Sequence, residues 1–467
     1  MRSNRSTGNP ARRALNAIVG SAMLAVLLVG GVRAEESQPV AWQGIERVVA
    51  FADVHGAYAE LTALLRSIGV VDEDLRWTAG RTHLVSLGDL LDRGADSRKV
   101  MDLLMRLQVE AATAGGRVHV VLGNHEAMNV LGDLRYVDPG EYAAFAGEEP
   151  RGQRDALRAE WVTRNGADSA AAFDAKFPPG YFGHRAAFSP RGRYGQWLLG
   201  LPVAIVVNDS VFMHGGPSKV LAGLPVQEIN LRYRAALRDY LVTLEALETA
   251  QLVRPEDPYS ERPVLAQQRL AAVTTADEVS LARMKEAVER FTAADRNPFI
   301  EPDGPNWYRG AALCNECSEA DVLDPFMATL GVRRLVIGHT VARDTRVASR
   351  FDGRVVKLDA GMNRAAYRGR PAALTLDQGG ARVSYADDRA PPAEIPAEPL
   401  YVASASLDDA RVTEILANGT VTVGGPRSPG IIEVSVEHGG QKVPAIFSAT
   451  TRDDARRELA AHRVDRL

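Results

Sequence analysis

The sequence predicts an α/β fold with a mostly parallel sheet, and three features of the chain lead to this prediction. Short apolar runs of the kind that form buried strands alternate with segments whose apolar residues recur at helical spacing. A dense polar cluster follows directly after several of the apolar runs. Open α/β sheets place their binding sites at the carboxyl ends of strands. We therefore expect a layered α/β domain with a functional site along one edge of its sheet.

The domain opens with the order strand, helix, strand, helix, strand. Apolar runs at 47–52, 83–87 and 118–122 are the three predicted strands. Residues 60–68 carry apolar side chains at helical spacing, and a second helix is predicted to begin at Ser97. Strands that are joined through a helix usually run parallel, so this order predicts parallel neighbours.

Further strands are predicted later in the chain. They cover 203–207, 211–213, 334–337, 355–358 and 372–376. A short polar turn separates the first two of them, so these two are predicted to form a hairpin.

Helical insertions and a C-terminal module are predicted in addition to these strands. The domain covers 46–380, with helical insertions at about 131–200 and 218–305. Prolines then mark a linker at 381–400. Residues 401–467 are predicted to form a small module of short strands and a terminal helix, and its sequence indicates no chemistry.

The composition is that of an ordinary soluble globular protein. The chain has 467 residues, of which 46% are apolar and 24% are charged. Its formal net charge of -4 provides no overall attraction to nucleic acid, which is therefore not an expected partner. An anion site would have to be built from local arginines. The oligomeric state is left open by the sequence.

The N-terminus has the pattern of an export signal. Four arginines precede an apolar segment of about 14–31, and Val32-Arg33-Ala34 follows as a cleavage signal. Residues 1–34 are therefore predicted to be a signal peptide, which would place the mature chain in the periplasm without membrane attachment. An uncleaved membrane anchor facing the periplasm is the alternative, because the apolar segment is long. No later segment is apolar enough to span a membrane.

The chain has two cysteines, Cys314 and Cys317. In an exported protein this pair is predicted to form a small structural disulfide. A redox switch is the alternative. A zinc site is not expected, because there is no second pair of thiolates to complete it.

The polar clusters at the predicted strand ends supply oxygen and imidazole groups, which are typical ligands of Mn, Fe or Zn ions. The candidate metal ligands are Asp53, His55, Asp89, Asn124, His214 and His339. These six are too many for one tetrahedral site that keeps an open position. They fit a centre of two divalent ions roughly 3.5–4 Å apart, in which a bridging hydroxide attacks phosphorus.

Four other polar residues fit phosphate chemistry. Arg93 has a planar guanidinium that matches phosphate oxygens, and Arg309 is a candidate for a second contact of this kind. His125, next to Asn124, could protonate the leaving oxygen, and Asp92 could orient its imidazole ring.

The order of these motifs resembles that of calcineurin-like metallophosphoesterases, and more narrowly the phosphoprotein phosphatase superfamily with its bacterial Shewanella-like branch. The motifs are Asp53-Val54-His55-Gly56, Gly88-Asp89-Leu90-Leu91-Asp92-Arg93-Gly94, Gly123-Asn124-His125-Glu126, His214-Gly215-Gly216 and Gly338-His339-Thr340. The resemblance covers about 48–376. It implies a four-layered α/β/β/α sandwich, which here would carry the helical insertions and the C-terminal module.

The resemblance also implies a role for each motif residue. Asp53 and His55 would hold the first metal ion and Asp89 would bridge both. The second ion would be held by Asn124, His214 and His339. His125 would be the general acid with Asp92 as its partner, while Arg93 and Arg309 would bind phosphate.

The sequence thus predicts an exported, metal-dependent phosphomonoesterase. Its expected substrates are phosphorylated proteins or peptides, with phosphotyrosine, phosphoserine or phosphothreonine, or small phosphoesters. A nucleotide or dinucleoside-polyphosphate hydrolase on the same centre is one alternative. A non-catalytic module that binds a phosphorylated ligand is another.

Overall fold

The structure is a computed structural model. It describes residues 39–314, 316–342, 345–386 and 391–398, together with the backbone of 420–428, 431–438 and 441–447. The predicted signal peptide and the predicted terminal helix lie outside the described residues. Within the described part of the chain, no helix is both long and apolar enough to cross a membrane.

Two six-stranded sheets form the centre of the fold. Their strands are β1 (Ala41–Trp42), β2 (Val48–Phe51), β3 (His83–Ser86), β4 (Arg117–Val120), β5 (Ala204–Val207), β6 (Ser210–Met213), β7 (Arg334–Ile337), β8 (Ala348–Arg350), β9 (Val355–Lys357), β10 (Ala372–Asp377), β11 (Gly380–Tyr385) and β12 (Ala393–Glu394). One sheet has the order β12-β11-β10-β2-β3-β4 and the other has the order β1-β5-β6-β7-β9-β8. This mixed α/β fold with two sheets confirms the predicted fold class.

The helices follow the strands or lie in the long segments between them. They are α1 (Tyr58–Ser67), α2 (Ser97–Thr113), α3 (Asn124–Leu131), α4 (Pro139–Ala143), α5 (Gln153–Asn165), α6 (Ala170–Lys176), α7 (Tyr181–Phe188), α8 (Arg193–Gly200), α9 (Val226–Thr249), α10 (Arg262–Ala271), α11 (Glu278–Asp295), α12 (Gly310–Leu313), α13 (Glu316–Leu330) and α14 (Arg364–Tyr367). Helices α4–α8 fall within 131–200 and α9–α11 within 218–305, the segments predicted to be insertions.

The central strands are buried on both faces. Every residue of β2, β3, β5 and β6 is buried. Because successive side chains of a strand point to opposite faces, both faces of each sheet must be covered by other elements. Phe51 of one sheet and Phe212 of the other belong to the same apolar core. The sheets therefore form one domain core whose strand ends are free to carry polar groups.

The sheets are mixed, which corrects the expectation of mostly parallel strands. Strands β2, β3 and β4 are parallel, as the helical connections predicted. Strands β5 and β6 are antiparallel, which confirms the predicted hairpin, and β10 and β11 are also antiparallel. Both of these pairs are joined by two residues, and so short a connection can only reverse the chain.

The predicted linker at 381–400 is also corrected. Strand β11 pairs along its whole length with β10, and β12 pairs with β11. Val383 of β11 is buried in the apolar core, so this segment completes the sheet instead of leaving it. The prolines of the predicted linker come only after β11 has ended. Proline has no backbone N–H, so within β11 it would have removed hydrogen-bond donors from the sheet.

The C-terminal region contains a three-stranded antiparallel sheet. Its strands are β13 (Thr420–Ser428), β14 (Ile431–His438) and β15 (Gln441–Phe447). The pairing of β13 with β14 is irregular between Val423 and Ser428, where the sequence has two glycines and a proline.

Gly88 is a backbone position that cannot accept a side chain. Its φ is +92°, and a Cβ there would collide with the backbone nitrogen of Gly123. We expect Gly88→Ala to lower the free energy of unfolding by at least about 3 kcal/mol, because two backbone segments would have to separate. The measurement is chemical denaturation.

Gly69 provides a matched control for this prediction. It also has positive φ, at +68°, but a Cβ there would meet nothing within 4 Å. Gly69→Ala should therefore cost only the conformational strain of about 1–2 kcal/mol. Equal destabilisation by the two substitutions would contradict the predicted clash at Gly88.

Candidate active site

The loops that follow β2 and β3 are joined by backbone hydrogen bonds. The amides of Val54 and His55 both donate to the carbonyl oxygen of Asp89, at 2.8 Å each. The amide of Gly56 donates to the carbonyl of Leu90 at 2.9 Å. These bonds place the first two sequence motifs side by side at the carboxyl edge of the parallel strands.

A buried carboxylate links the second motif to the third. Glu126 accepts hydrogen bonds from the amides of Asp89 at 2.8 Å, Leu90 at 2.7 Å and Gly123 at 2.8 Å. Glu126 belongs to the Gly-Asn-His-Glu motif, but its role in holding the loop after β3 was not predicted. Its position directly after His125 was the only sequence signal for it.

Several of the predicted site residues have a left-handed backbone. Positive φ values from 38° to 68° occur at Asp53, His55, Asp89, Asp92, Arg93 and His339. For a residue with a side chain this conformation costs on the order of 1–3 kcal/mol, and such strain is concentrated at functional sites in proteins. The surrounding hydrogen bonds therefore hold these side chains in one arrangement.

Asp89 is at the centre of two clusters of potential metal ligands. Ligand atoms of Asp89, His55 and His125 lie within 4.8 Å of one another, and so do those of Asp89, His214 and His339. All five side chains are buried. Asp89 is common to both clusters, which is the position that the sequence resemblance implied for a bridging ligand.

The ring orientations of three histidines match those of metal ligands. His55 Nδ1 lies 2.9 Å from the carbonyl oxygen of Leu91, and His214 Nδ1 lies 2.8 Å from that of Leu87. His339 Nε2 lies 3.0 Å from the carbonyl oxygen of Trp307. A carbonyl only accepts, so these nitrogens carry the hydrogens and the opposite nitrogens present lone pairs to the Asp89 clusters. Metal-binding histidines are oriented in this way.

Four acceptor atoms consequently converge around His214. Its Nε2 atom lies 2.9 Å from Asn124 Oδ1, 3.2 Å from His339 Nδ1 and 3.2 Å from Asp89 Oδ2. Because His214 and His339 carry their hydrogens on the opposite ring nitrogens, none of these four atoms donates a hydrogen bond to another. Such a group of lone pairs is unfavourable alone and is stabilised by a cation. The residues present therefore fit a divalent metal ion.

Asp53 lies beside these clusters, next to an acid that the sequence analysis missed. Its carboxylate accepts the amide of His339 at 2.9 Å and 3.2 Å. Burial raises the pKa of Asp53, and the negative charges of Asp359 and Asp89 raise it further. Asp359 is also buried, and its own pKa is raised to about 6 by burial. Asp359 follows β9, so the rule that found the other acids at strand ends would have found this one.

Burial keeps the imidazole of His55 neutral, as a metal ligand must be. It lowers the pKa of His55 to about 3, although the charge of Asp89 opposes this shift. For Asp89, burial alone would raise the pKa, but His214, His125 and His55 hold it well below its ordinary value. The centre thus combines an ionised carboxylate with neutral imidazole.

His125 forms a hydrogen-bonded pair with Asp92. The distance from His125 Nδ1 to Asp92 Oδ2 is 2.5 Å, and Asn129 Nδ2 donates to Asp92 Oδ1 at 2.9 Å. Burial alone would lower the pKa of His125, but Asp89 and Asp92 raise it above its ordinary value. The pair therefore favours a protonated imidazole whose Nε2 faces the cavity.

Two arginines and two tyrosines line the cavity above the metal-ligand clusters, which has a volume of about 210 Å³. Arg93 lies 4.7 Å from the ring centre of Tyr136 and 5.3 Å from that of Tyr367, and its Nη2 is 3.4 Å from His125 Nε2. Arg309 donates from Nη1 to the carbonyl of His339 at 2.7 Å and to Thr340 Oγ1 at 3.0 Å. All the predicted metal-ligand and catalytic residues therefore lie in or beside one site.

The tyrosines were not predicted. Tyr367 lies on α14, where its hydroxyl oxygen is 3.1 Å from His55 Nε2. The two residues are 312 positions apart in the chain, and no local pattern marks such a contact.

The predicted Cys314–Cys317 disulfide is not tested, because the side chain of Cys317 lies outside the described residues. The carbonyl of Cys314 accepts from Arg350 Nη2 at 2.5 Å. Cys314 directly follows α12, the helix that begins after Arg309.

Comparison with known proteins identifies the family. The family model for calcineurin-like phosphoesterase matches residues 46–343. An uncharacterised protein of Schizosaccharomyces pombe is 30% identical over 337 residues, which is 71% of this chain and 77% of that protein. Shewanella-like protein phosphatase 2 of Arabidopsis thaliana is 25% identical over 71% of this chain and 75% of its own length.

Two further comparisons agree with this family. Shewanella-like protein phosphatase 1 of Plasmodium berghei is 28% identical over 43% of this chain and 46% of its own length. Among solved structures, the cold-active protein-tyrosine phosphatase of a psychrophilic Shewanella species is 25% identical with a TM-score of 0.50, over 76% of this chain and 82% of that one. The chain is a hydrolase that belongs to the calcineurin-like phosphoesterase family, in the Shewanella-like branch of the phosphoprotein phosphatase superfamily.

Proposed function

We propose that this hydrolase removes phosphate from phosphorylated tyrosine, serine or threonine side chains with the help of two divalent metal ions. The observation that carries the proposal is the convergence of unprotonated acceptor atoms around Asp89, directly beside the His125–Asp92 pair. Shewanella-like protein phosphatase 2 of Arabidopsis thaliana and the protein-tyrosine phosphatase of the Shewanella species are protein phosphatases, which supports a protein substrate.

The proposed metal ligands form two sets that share Asp89. Asp53, His55 and Asp89 would hold one ion, while Asp89, Asn124, His214 and His339 would hold the other. Oxygen and imidazole ligands suit Mn, Fe or Zn. When bound, the ions would activate water and neutralise charge on the phosphate group.

The protein's own residues would bind phosphate and move the proton. Arg93 and Arg309 line the same cavity and present guanidinium groups to phosphate oxygens. His125 Nε2 would donate its proton to the departing oxygen, because Asp92 holds the opposite ring nitrogen. Asn129 would fix Asp92 and so the orientation of the ring.

The alternatives are less well supported. A non-catalytic binding module would have no need of a buried histidine–aspartate pair beside the metal ligands. A nucleotide or dinucleoside-polyphosphate hydrolase would use the same centre, but a cavity of about 210 Å³ is small for a nucleotide.

A substrate panel separates these functions. The metal-reconstituted mature protein is expected to hydrolyse a phosphotyrosine peptide or a phosphoserine peptide with kcat/KM at least about 10-fold above that for a dinucleoside polyphosphate, because the cavity of about 210 Å³ is small for a nucleotide. Phosphate release is the measurement. Preference for the dinucleoside polyphosphate would show that the alternative hydrolase is correct.

We also propose that the chain is exported. The basic residues, apolar segment and cleavage signal of residues 1–34 support this. N-terminal sequencing of the mature protein should begin at Glu35 in the periplasmic fraction. A chain that keeps residues 1–34 in the membrane fraction would instead support the anchored form.

A further inference from the structure

A second cavity lies apart from the candidate active site, among the two helical insertions. Its volume is about 720 Å³, within the range of pockets that hold drug-sized ligands. It shares no lining residue with the cavity above Asp89. Its walls come from α5 and α7 of the first insertion and from α9 and α10 of the second.

One wall of this cavity is aromatic. Phe173, Phe177 and Phe182 form a small apolar cluster that is separate from the main core. The partly buried side chains of Trp161 and Tyr181 pack against it and also line the cavity. This wall offers a surface for an aromatic or aliphatic ligand body.

Two arginines meet in the lining of the same cavity, close to Gly132. A Cβ at Gly132 would lie 2.9 Å from Arg262 Nη2 and 3.2 Å from Arg185 Nη2, so the guanidinium groups are neighbours. Burial lowers the pKa of Arg185, and the charge of Arg262 contributes to this shift. A bound anion would relieve the repulsion between the two groups.

Neither of these arginines is neutralised by a carboxylate. Their hydrogen bonds go to carbonyl oxygens of Asn129, Leu131 and Gly132 at 2.5–2.9 Å, and to a tyrosine hydroxyl. Within the described residues, no carboxylate oxygen lies within 4 Å of either guanidinium. Arg262 is only 7% exposed, and its Nε is buried without a hydrogen-bond partner in the described structure.

Two other arginines that line the cavity form ion pairs with glutamates. Arg164 pairs with Glu256 at 2.5 Å, and Arg191 pairs with Glu245 at 2.7 Å. Glu248 also lines the cavity and acts electrostatically on Arg185 and Arg262, although it forms no ion pair with them. Arg254 also lines the cavity without an ion pair among the described residues, so the positive charge left for a ligand lies on Arg185, Arg262 and Arg254.

We propose that this cavity binds an amphipathic organic anion. The carboxylate, sulfonate or phosphate of the ligand would contact Arg185 and Arg262, while its apolar body would pack on the partly exposed rings of Trp161 and Tyr181. The same arginines bind the last carbonyl groups of α3, the helix that begins at Asn124 and His125. The ligand would thus lie at the far end of the helix that carries these two residues.

Fluorescence titration of the full chain tests the proposal with two probes of nearly the same shape. Anilinonaphthalene sulfonate carries an anion, and N-phenylnaphthylamine lacks it. The sulfonate is expected to bind at least about 10-fold more tightly than the amine, because charge-assisted hydrogen bonds are the strong ones. Equal affinities would show that the arginines do not recognise an anion.

Substitutions of residues that line the cavity test whether the sulfonate binds there. Arg262→Gln should weaken sulfonate binding at least about 10-fold and leave amine binding unchanged. Glu248→Gln should strengthen sulfonate binding about 2- to 5-fold, because it removes a nearby negative charge from a partly exposed position. If Arg262→Gln does not fold, Glu248→Gln still tests the proposal. Damage to the fold would change the binding of both probes, so tighter binding of the sulfonate alone would report the removed negative charge.

Two other outcomes would overturn the proposal. Sulfonate affinity that is unchanged in Glu248→Gln and in folded Arg262→Gln would show that the probe binds elsewhere. Displacement of the sulfonate by inorganic phosphate that is equally effective in the wild type, in Glu248→Gln and in folded Arg262→Gln would place the probe in the active site. These binding measurements do not depend on phosphatase activity, so they remain informative if the proposed function is wrong.

Discussion

Replacing Asp89 with asparagine is expected to lower the affinity for metal by at least about 100-fold and to abolish phosphate release. Loss of a residue that only supports a metal ligand already costs roughly 10–100-fold in metal affinity. Asp89 is common to both candidate clusters, so its loss should affect both ions. The measurement is metal content after equilibration with a buffered ion, together with turnover of an aryl phosphate.

The fold should tolerate this change. Asp89 Oδ1 accepts the amide of His125 at 3.0 Å, and an asparagine side-chain oxygen can accept the same bond. Asp257→Asn is a matched control, because Asp257 is also buried and is paired with Arg269 outside the site. It should leave metal content unchanged. Asp89→Asn protein that binds two ions and turns over like the wild type would contradict the assignment.

Replacing His125 with asparagine is expected to lower kcat by about 100- to 10,000-fold for a phosphoserine peptide, the usual contribution of general acid catalysis. The metal content should not fall, because His125, although it lies in the first cluster, is bonded to Asp92 and is proposed as the acid and not as a metal ligand. The effect arises from the leaving group. A serine alkoxide is a strong base that needs a proton as it departs, and His125 is the group held by Asp92 for this step.

The choice of substrate provides an internal control for this prediction. Nitrophenolate departs readily without a proton, so His125→Asn should reduce hydrolysis of nitrophenyl phosphate much less. A pure structural disturbance of the site would reduce both reactions equally. Equal losses for the two substrates would therefore argue against His125 as the acid.

The arrangement of the candidate site was largely predictable from the sequence. Asp53, Asp89 and Asn124 follow β2, β3 and β4 within four residues, and parallel strands bring their carboxyl ends to one edge. The same rule points to Asp359, which directly follows the predicted strand at 355–358, but it was applied only to the motifs that the resemblance marked. The acid lies beside Asp53 only because β9 pairs with β7, which ends just before His339.

Long-range packing could not be predicted. Tyr367 reaches His55, and Arg262 reaches the end of α3, across separations of 312 and 131 positions. Helical periodicity indicates which face of an element is apolar, but not which distant element will cover it. For this reason the insertions were recognised as helical while the cavity that they enclose was not.

The hairpin of β10 and β11 caused the error in the predicted end of the sheet. The pattern of β10 and β11 reads as one apolar strand followed by a polar segment, because β11 is only half-buried. A partly buried strand at a sheet edge lacks the continuous apolar run that identified the central strands. The sheet consequently extends beyond its predicted end at residue 380.

The most direct test of the account is a titration of metal into chelated wild-type protein, followed by phosphate release from a phosphopeptide. We expect no turnover without metal and full turnover at two ions per chain, because the ligands divide into two clusters that share Asp89. Metal content and rate should be measured on the same samples. Turnover that persists in the chelated protein, or that is complete at one ion per chain, would contradict a centre of two metal ions.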